Sequence, residues 1–329
     1  MNLFMSRVVR VHEFGDAQVL KLESAEIAAP GPGELKIRHT FVGLNYIDVY
    51  FRTGVYKPPG LPFVPGMEAS GTVEAIGEGV EEFAIGDRVA YAGGPLGAYS
   101  EVRLLPADKA LKLPATIADD LAAAMMLKGM TAQYLLRQTF AVKPGDVVLF
   151  HAAAAGVGLI ACQWAKHLGA TVIGTVGSDE KASLARAHGC DHTIVYSREN
   201  FAESVLQITD GKKVSVVYDG VGKDTFEGSL DCLRPRGMMV LFGQSSGKVP
   251  PFDLSTLAAK GSLFVTRPVL FAYTSTRHEL QACAADLFDV VGKGVVKIPI
   301  GARYELAQVA DAHRELEARR TTGATVMSV

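Results

Sequence analysis

Apolar positions in this chain follow two different rhythms. Up to about residue 127 they form short strand-like runs at Arg7 to Val11, Val19 to Leu22, Glu34 to Val42, Gly71 to Ile76, Arg88 to Tyr91, Tyr99 to Leu105 and Ala110 to Leu113. Turn-forming clusters separate them, among them Pro30-Gly31-Pro32-Gly33, Pro58-Pro59-Gly60 and Gly93-Gly94-Pro95. Short strands without intervening helices predict an antiparallel, barrel-like domain. Helical spacing then appears at Ala118 to Leu127 and resumes beyond Gly129 at Thr131 to Arg137, and the domain boundary is expected near this point.

From Val147 onward, apolar runs alternate with helical patterns. Val147-Val148-Leu149-Phe150 leads through a small-residue turn, His151 to Gly158, into the helical Leu159 to Ala165. Thr171 to Val176 is the next strand, followed by a helix from Asp179 to His188 that Gly189 closes. His192 to Tyr196, Val214 to Gly220, Met238 to Gly243 and Ser262 to Thr266 complete six predicted strands. Such alternation implies parallel strands joined by right-handed crossovers, hence an α/β doubly wound sheet with ligands at the carboxyl ends of its strands. From about Phe271 helical patterns return at Ser275 to Val291 and Leu306 to Arg319, with a strand at Ala324 to Met327. The economical reading is that this tail completes the first domain, giving the boundaries 1–127, 128–270 and 271–329.

Composition narrows the class of protein. At 329 residues the chain can bury two sizeable cores, and a formal net charge of -2 offers no basic field for nucleic acid. The four cysteines, Cys162, Cys190, Cys232 and Cys283, form no Cys-x-x-Cys pair, so neither a zinc site nor a disulfide framework is expected and a cytoplasmic location is the default. Met1 to Val11 carries two arginines and no cleavage-like site, so it does not read as a signal peptide. No apolar run reaches membrane-spanning length, and membrane insertion is not expected.

The turn at Ala152 to Gly158 carries the most chemistry. Small residues let the backbone approach a pyrophosphate, and the unpaired amides of a helix N-terminus favour its negative charge. The dinucleotide fingerprint would place glycines at positions 153, 155 and 158, and only Gly158 is glycine. Taken alone, the turn fits cofactor binding or an ordinary helix–strand contact; the strand–helix alternation around it favours the cofactor.

Several stretches carry a wider resemblance: Gly43-Leu44-Asn45-Tyr46-Ile47-Asp48, Pro65-Gly66-Met67-Glu68-Ala69-Ser70-Gly71, Gly86-Asp87-Arg88-Val89 and Leu127-Lys128-Gly129-Met130-Thr131-Ala132. Gly174-Thr175-Val176-Gly177-Ser178 and Val217-Tyr218-Asp219-Gly220-Val221-Gly222 join them. In these the chain resembles the zinc-independent medium-chain dehydrogenases/reductases, specifically NADPH:quinone oxidoreductases of the zeta-crystallin type. The resemblance implies a GroES-like first domain completed by the tail, a Rossmann domain between, and a homodimer. In related zinc alcohol dehydrogenases a cysteine stands at the position of Asn45 and a histidine at that of Met67, and a four-cysteine lobe follows. This chain has none of these ligands, so no metal is expected. A quinone is already an electron-poor acceptor and needs no Lewis acid.

An NAD-specific sheet usually ends its second strand with an acidic residue for the ribose 2′-hydroxyl. Here that place is Gly177-Ser178, while Asp179 suits a helix N-terminus. Lys181 can reach a 2′-phosphate or can be an ordinary solvated lysine; the resemblance favours the first and adds Tyr196 and Arg319, so NADPH is the expected cofactor. Among the turn residues Ala155, Gly156, Val157 and Gly158, Ala155 is a departure, because relatives commonly have Gly-Gly at Ala155-Gly156. Its methyl group faces the approach of the pyrophosphate, and a positive φ there would add strain.

The resemblance further implies a nicotinamide held between the domains, with Thr131 near its carboxamide and Asn45 and Asp48 beneath the ring and ribose. Phe242, Gly243, Gln244, Phe264 and Val265 would line the cofactor wall. Tyr56 is the candidate for delivering a proton or orienting substrate, since hydride arriving at a quinone leaves an oxyanion. It could equally be a wall aromatic, and Asp48 could be structural. His151, directly before the phosphate turn, reads as a hydrogen-bonded structural residue. Three functions stay open: NADPH-dependent quinone reduction, NADPH-dependent reduction of an enone or alkenal double bond, and a non-enzymatic crystallin-like or RNA-binding role. Balanced charge argues against the last.

Overall fold

The computed structural model describes residues 4–329. The chain divides into two compact units. One runs to Lys128 and takes in Thr276–Phe288 and Ile298–Val329; the other comprises Gly129–Ser275 and Asp289–Lys297.

In the first unit a seven-stranded sheet runs in the order Ile300–Glu305, Ala324–Ser328, Glu34–Leu44, Glu68–Ile76, Arg88–Ala92 and Leu111–Lys112, with Val102–Pro106 also paired to Glu34–Leu44. Its pairings are antiparallel except between Ile300–Glu305 and Ala324–Ser328. Phe4–Val11 and Leu20–Ile27 form a separate antiparallel pair. Period-two patterning explains the core: along Glu34–Leu44, Leu35 and Ile37 are fully buried while the alternating Lys36 and Arg38 are not. They pack with Val73, Val89, Tyr91 and Leu105.

The second unit is a six-stranded sheet in the order His192–Val195, Thr171–Val176, Val147–Phe150, Val214–Asp219, Leu233–Leu241 and Phe264–Thr266. Every neighbouring pair is parallel. In sequence order this is 3-2-1-4-5-6, the doubly wound Rossmann arrangement. Val214–Asp219 is buried at every position, as a central strand covered on both faces should be. The helix Asp179–Ala187 starts where the Ser178 side chain accepts from the Lys181 amide, and Gly189 ends it at φ +97°. A Cβ at Gly189 would lie 2.7 Å from the Cys162 carbonyl oxygen, so glycine is required twice over.

Several boundaries differ from the sequence reading. Val19 to Leu22 is not one strand: Asp16 caps a 3-10 turn at Ala17–Val19, and the strand begins at Leu20 and runs to Ile27. The run Tyr99 to Leu105 becomes strand only at Val102, and Ser262, at φ +56°, delays the last sheet strand to Phe264. The two helical segments around Gly129 are one helix, Asp119–Tyr134, continued by a π-helical turn at Leu135–Thr139. Burial of Ala122 to Met126 and of Met130, Ala132 and Tyr134 outweighs the cost of about 1 kcal/mol that an interior glycine brings. The return segment does not stay wholly with the first unit, because Asp289–Lys297 belongs to the second. There Lys297 exchanges two backbone hydrogen bonds with the Gln163 side chain, each 2.9 Å. Among the described residues no helix is long and apolar enough to cross a membrane.

Candidate active site

In the first unit the site is built on one short helix, Tyr46–Arg52. Asn45 precedes it and its backbone amide donates to Asp48 Oδ2 at 2.9 Å, which ties the first turn together. The Asn45 side-chain amide donates to Glu68 Oε2 at 2.7 Å. Glu68 is fully buried and also accepts from Lys128 Nζ at 3.0 Å and from the Leu127 amide at 2.7 Å. Three donors on one buried carboxylate make a rigid, charge-compensated support for Asn45.

Asp48 has no solvent exposure, and burial pushes its carboxyl up to about 7 against the opposing hydrogen bonds from Asn45 and Tyr99. Tyr99 donates to Asp48 Oδ2 at 2.8 Å and also meets His313 Nε2 at 3.1 Å. Arg52 reaches His313 Nδ1 at 3.1 Å and forms a bidentate pair with Glu317 at 2.8 and 2.7 Å. On the same helix, Tyr46 and Tyr50 lie edge to face at 5.3 Å, and Tyr56 packs against Tyr50 at 5.1 Å and Phe51 at 5.8 Å. Tyr56 is thus gathered onto the helix that carries Asp48, half-buried among aromatics. Arg319 follows the helix Val309–Glu317, exposed and at φ +59°.

In the second unit most of the remaining candidates follow the carboxyl ends of the sheet strands. Val147–Phe150 feeds the turn, and the helix Gly156–His167 starts with Ala155 as N-cap. Ala155 sits at φ -84° and ψ 171°, an extended conformation that any residue adopts, so the expected strain is absent there. The strain falls on Ala152 instead, at φ +55°. Ala155 offers no capping side chain, so the first-turn amides at Gly156, Val157 and Gly158 lack one. Gly158 is demanded by contact: a Cβ there would lie 2.4 Å from the Ala152 carbonyl oxygen and 2.8 Å from Ala153 Cα.

At the end of Thr171–Val176, Tyr196 covers Gly177, whose added Cβ would meet its hydroxyl at 2.9 Å. Ser178 caps the following helix, and Lys181 occupies its first turn, half-buried. Asp179, which opens that helix, is held by Arg198 through two bonds of 2.6 Å. Phe242 and Gly243 both donate their amides to the Asp219 carbonyl, and a Cβ on Gly243 would come within 2.5 Å of the Gly220 carbonyl oxygen. Asp219 itself is fully buried and saturated by Val221, Gly222 and Thr225. Gln244 follows, half-buried; Thr131 is half-buried on the helix Asp119–Tyr134. Val265 pairs with Met239 on the last strand, and Phe264 is 57% exposed at that edge. His151 is sealed between the Thr175 and Ser229 hydroxyls at 2.8 and 2.9 Å, with its basicity depressed by burial.

The sequence reading missed Glu68, Lys128, Tyr99, Arg52 and His313. Glu68 and Lys128 carried a signal, a single charge of each sign inside an apolar, small-residue stretch, since such charges survive burial by pairing. Arg52, Tyr99 and His313 come from three distant parts of the chain and carried none. Among the described residues no group of three or more His, Cys, Asp or Glu could hold a metal ion.

Comparison with known proteins places this geometry. Residues 31–115 match the alcohol dehydrogenase GroES-like domain and residues 156–288 the zinc-binding dehydrogenase domain. The chain is 54% identical to a quinone oxidoreductase of Pseudomonas aeruginosa over 98% of its own length and 99% of the relative's. It is 48% identical to a 2-haloacrylate reductase of a Burkholderia species, over 96% and 97%. The crystal structure of Escherichia coli quinone oxidoreductase complexed with NADPH superposes with a TM-score of 0.96 at 48% identity, covering 98% of this chain and 100% of that one. The GroES-like and Rossmann units and near-complete coverage at these identities lead to one assignment: the chain belongs to the medium-chain dehydrogenase/reductase family, among its quinone oxidoreductases.

Proposed function

We propose that the protein is an NADPH-dependent reductase of quinones that works without a metal. The observation that carries the cofactor reading is the end of the second sheet strand, where Gly177-Ser178 offers no acidic side chain, Asp179 is occupied by Arg198, and Lys181 stands in the next helical turn. A 2′-phosphate fits such a place and a free 2′-hydroxyl finds no carboxylate. The relative solved with NADPH supports the same reading.

On this reading the first-turn amides from Gly156 to Gly158 hold the pyrophosphate, and Ser178, Lys181, Tyr196 and Arg319 hold the 2′-phosphate. Thr131, Asn45 and Asp48 orient the nicotinamide end, Asn45 being immobilised through Glu68. Phe242, Gly243, Gln244, Phe264 and Val265 wall the site and exclude water. When bound, NADPH supplies the hydride. Tyr56 orients the acceptor and can give a proton to its reduced oxygen. Asn45 commits its amide to Glu68 and Met67 offers only a buried neutral thioether, a donor set without the thiolate and imidazole ligands that hold the zinc an alcohol would need. A cytoplasmic homodimer completes the proposal.

Reduction of an activated carbon–carbon double bond is the second reading, favoured by the 48% identity to a 2-haloacrylate reductase. NADPH turnover with 1,4-naphthoquinone, a simple enone and a 2-haloacrylate, compared by kcat/KM, separates the two. The quinone is expected to lead; a higher value for either alkene would transfer the assignment.

A further inference from the structure

One chain of buried hydrogen bonds in the first unit has a direction that its chemistry dictates. Arg52, Tyr99, His313 and Asp48 are each 1% exposed or less. A guanidinium can only donate, so His313 Nδ1, 3.1 Å from Arg52 Nη1, must be the lone-pair nitrogen. Burial beside Arg52 pushes the imidazole down to about 3, so the ring is neutral and its one proton sits on Nε2. Nε2 therefore donates to the Tyr99 oxygen at 3.1 Å, and the single phenolic proton is left to go to Asp48 Oδ2 at 2.8 Å. With the Asn45 amide at 2.9 Å, Oδ2 receives two donors. Asp48 Oδ1 is buried and has no hydrogen-bond partner.

We propose that Arg52, His313 and Tyr99 are positioning residues that fix the proton of Asp48 on Oδ1, so that Asp48 meets the bound ligand as a carboxylic acid donating to one of its oxygens. A proton on Oδ2 would have to displace an N–H or O–H donor, whereas Oδ1 has no donor to displace and its O–H finds its acceptor only in the ligand. The charged and titratable groups acting on Asp48 are Glu68 from its strand, Lys128 from the helix Asp119–Tyr134 and Tyr99 from its loop, with His313 of the helix Val309–Glu317 behind Tyr99 and Arg52 of Asp48's own helix behind His313. Glu68 favours the protonated acid and Lys128 opposes it. The position of the proton is independent of which cofactor binds; the ligand half of the proposal rests on the NADPH reading.

Infrared pH titration of the full-length enzyme from about pH 5 to about pH 9 reads the carboxylic-acid carbonyl band directly. The wild type should show such a band that disappears around neutral pH and is missing in Asp48→Asn. Tyr99→Phe removes a donor to the carboxylate, so the band should persist about one pH unit higher, a tenfold gain in proton affinity. His313→Gln keeps an acceptor toward Arg52 and a donor toward Tyr99 and should retain the wild-type midpoint; His313→Leu breaks the order and should raise it. This pair decides the matter even if Tyr99→Phe does not fold. A missing Asp48 band, or a midpoint unmoved in both Tyr99→Phe and His313→Leu, overturns the proposal. NADPH affinity should weaken above the wild-type midpoint and stay flat in Asp48→Asn; a flat wild-type profile overturns the ligand half. Absence of NADPH binding at any pH would defeat the cofactor reading instead, with the infrared result still locating the proton.

Discussion

Lys181 stands in the first turn of a helix capped by Ser178, where Asp179 is turned aside by Arg198. Charge-assisted contact between Lys181 and a 2′-phosphate would contribute about 1.5–3 kcal/mol, so Lys181→Ala should weaken NADPH roughly tenfold to a hundredfold and leave NADH nearly unchanged. Equal weakening of both cofactors would remove Lys181 from the phosphate site. The phosphate turn offers a second test. Because Ala152 carries the positive φ and Ala155 does not, Ala152→Gly should stabilise the protein by about 1 kcal/mol, whereas Ala155→Gly should destabilise it by a few tenths to about 1 kcal/mol. Thermal unfolding of the two variants checks this; the opposite order would mean that the turn is read wrongly. At this scale Gly158 was legible because the fingerprint asks for it. The left-handed residue was not, since alanines at 152 to 155 look alike in sequence and only the closed turn distinguishes them.

The last sheet strand, Phe264–Thr266, pairs on one side only, with Leu233–Leu241, and presents Phe264 and its backbone at the edge. Pro268 follows closely and stops further pairing. If this edge meets its counterpart in a two-fold homodimer, Val265→Pro should remove a ladder donor and weaken association. Mass measurement at micromolar concentration is the test, with NADPH affinity determined alongside because Val265 also belongs to the proposed cofactor wall. A wild-type monomer would refute the dimer, and an unchanged dimer in the variant would move the interface elsewhere. The sheet strands were readable from their apolar runs, while the ends were set by local turns such as Ser262. The strand Ile300–Glu305 was missed: it alternates half-buried with exposed residues at a sheet edge, so it lacks the continuous apolar run that marks a strand covered on both faces.

At the scale of the whole molecule, the proposed mechanism requires activity insensitive to strong chelators and purified protein without stoichiometric zinc; one tightly held zinc per chain would overturn it. The sequence by itself determined the two kinds of unit, because period-two runs with turns and apolar runs alternating with helices can each bury their faces in few ways. It also marked the small-residue turn from Ala152 to Gly158 and the Gly177-Ser178 pair, whose patterns lie within a few consecutive residues. Only the tertiary structure decided that Asp289–Lys297 belongs with the second unit, that Glu68 holds Asn45 and Lys128, and that Arg52, His313 and Tyr99 converge on Asp48. Those contacts join residues separated by up to 261 positions, as Arg52 and His313 are. Periodicity reports which face of an element is buried, but not which distant polar group will be buried against it.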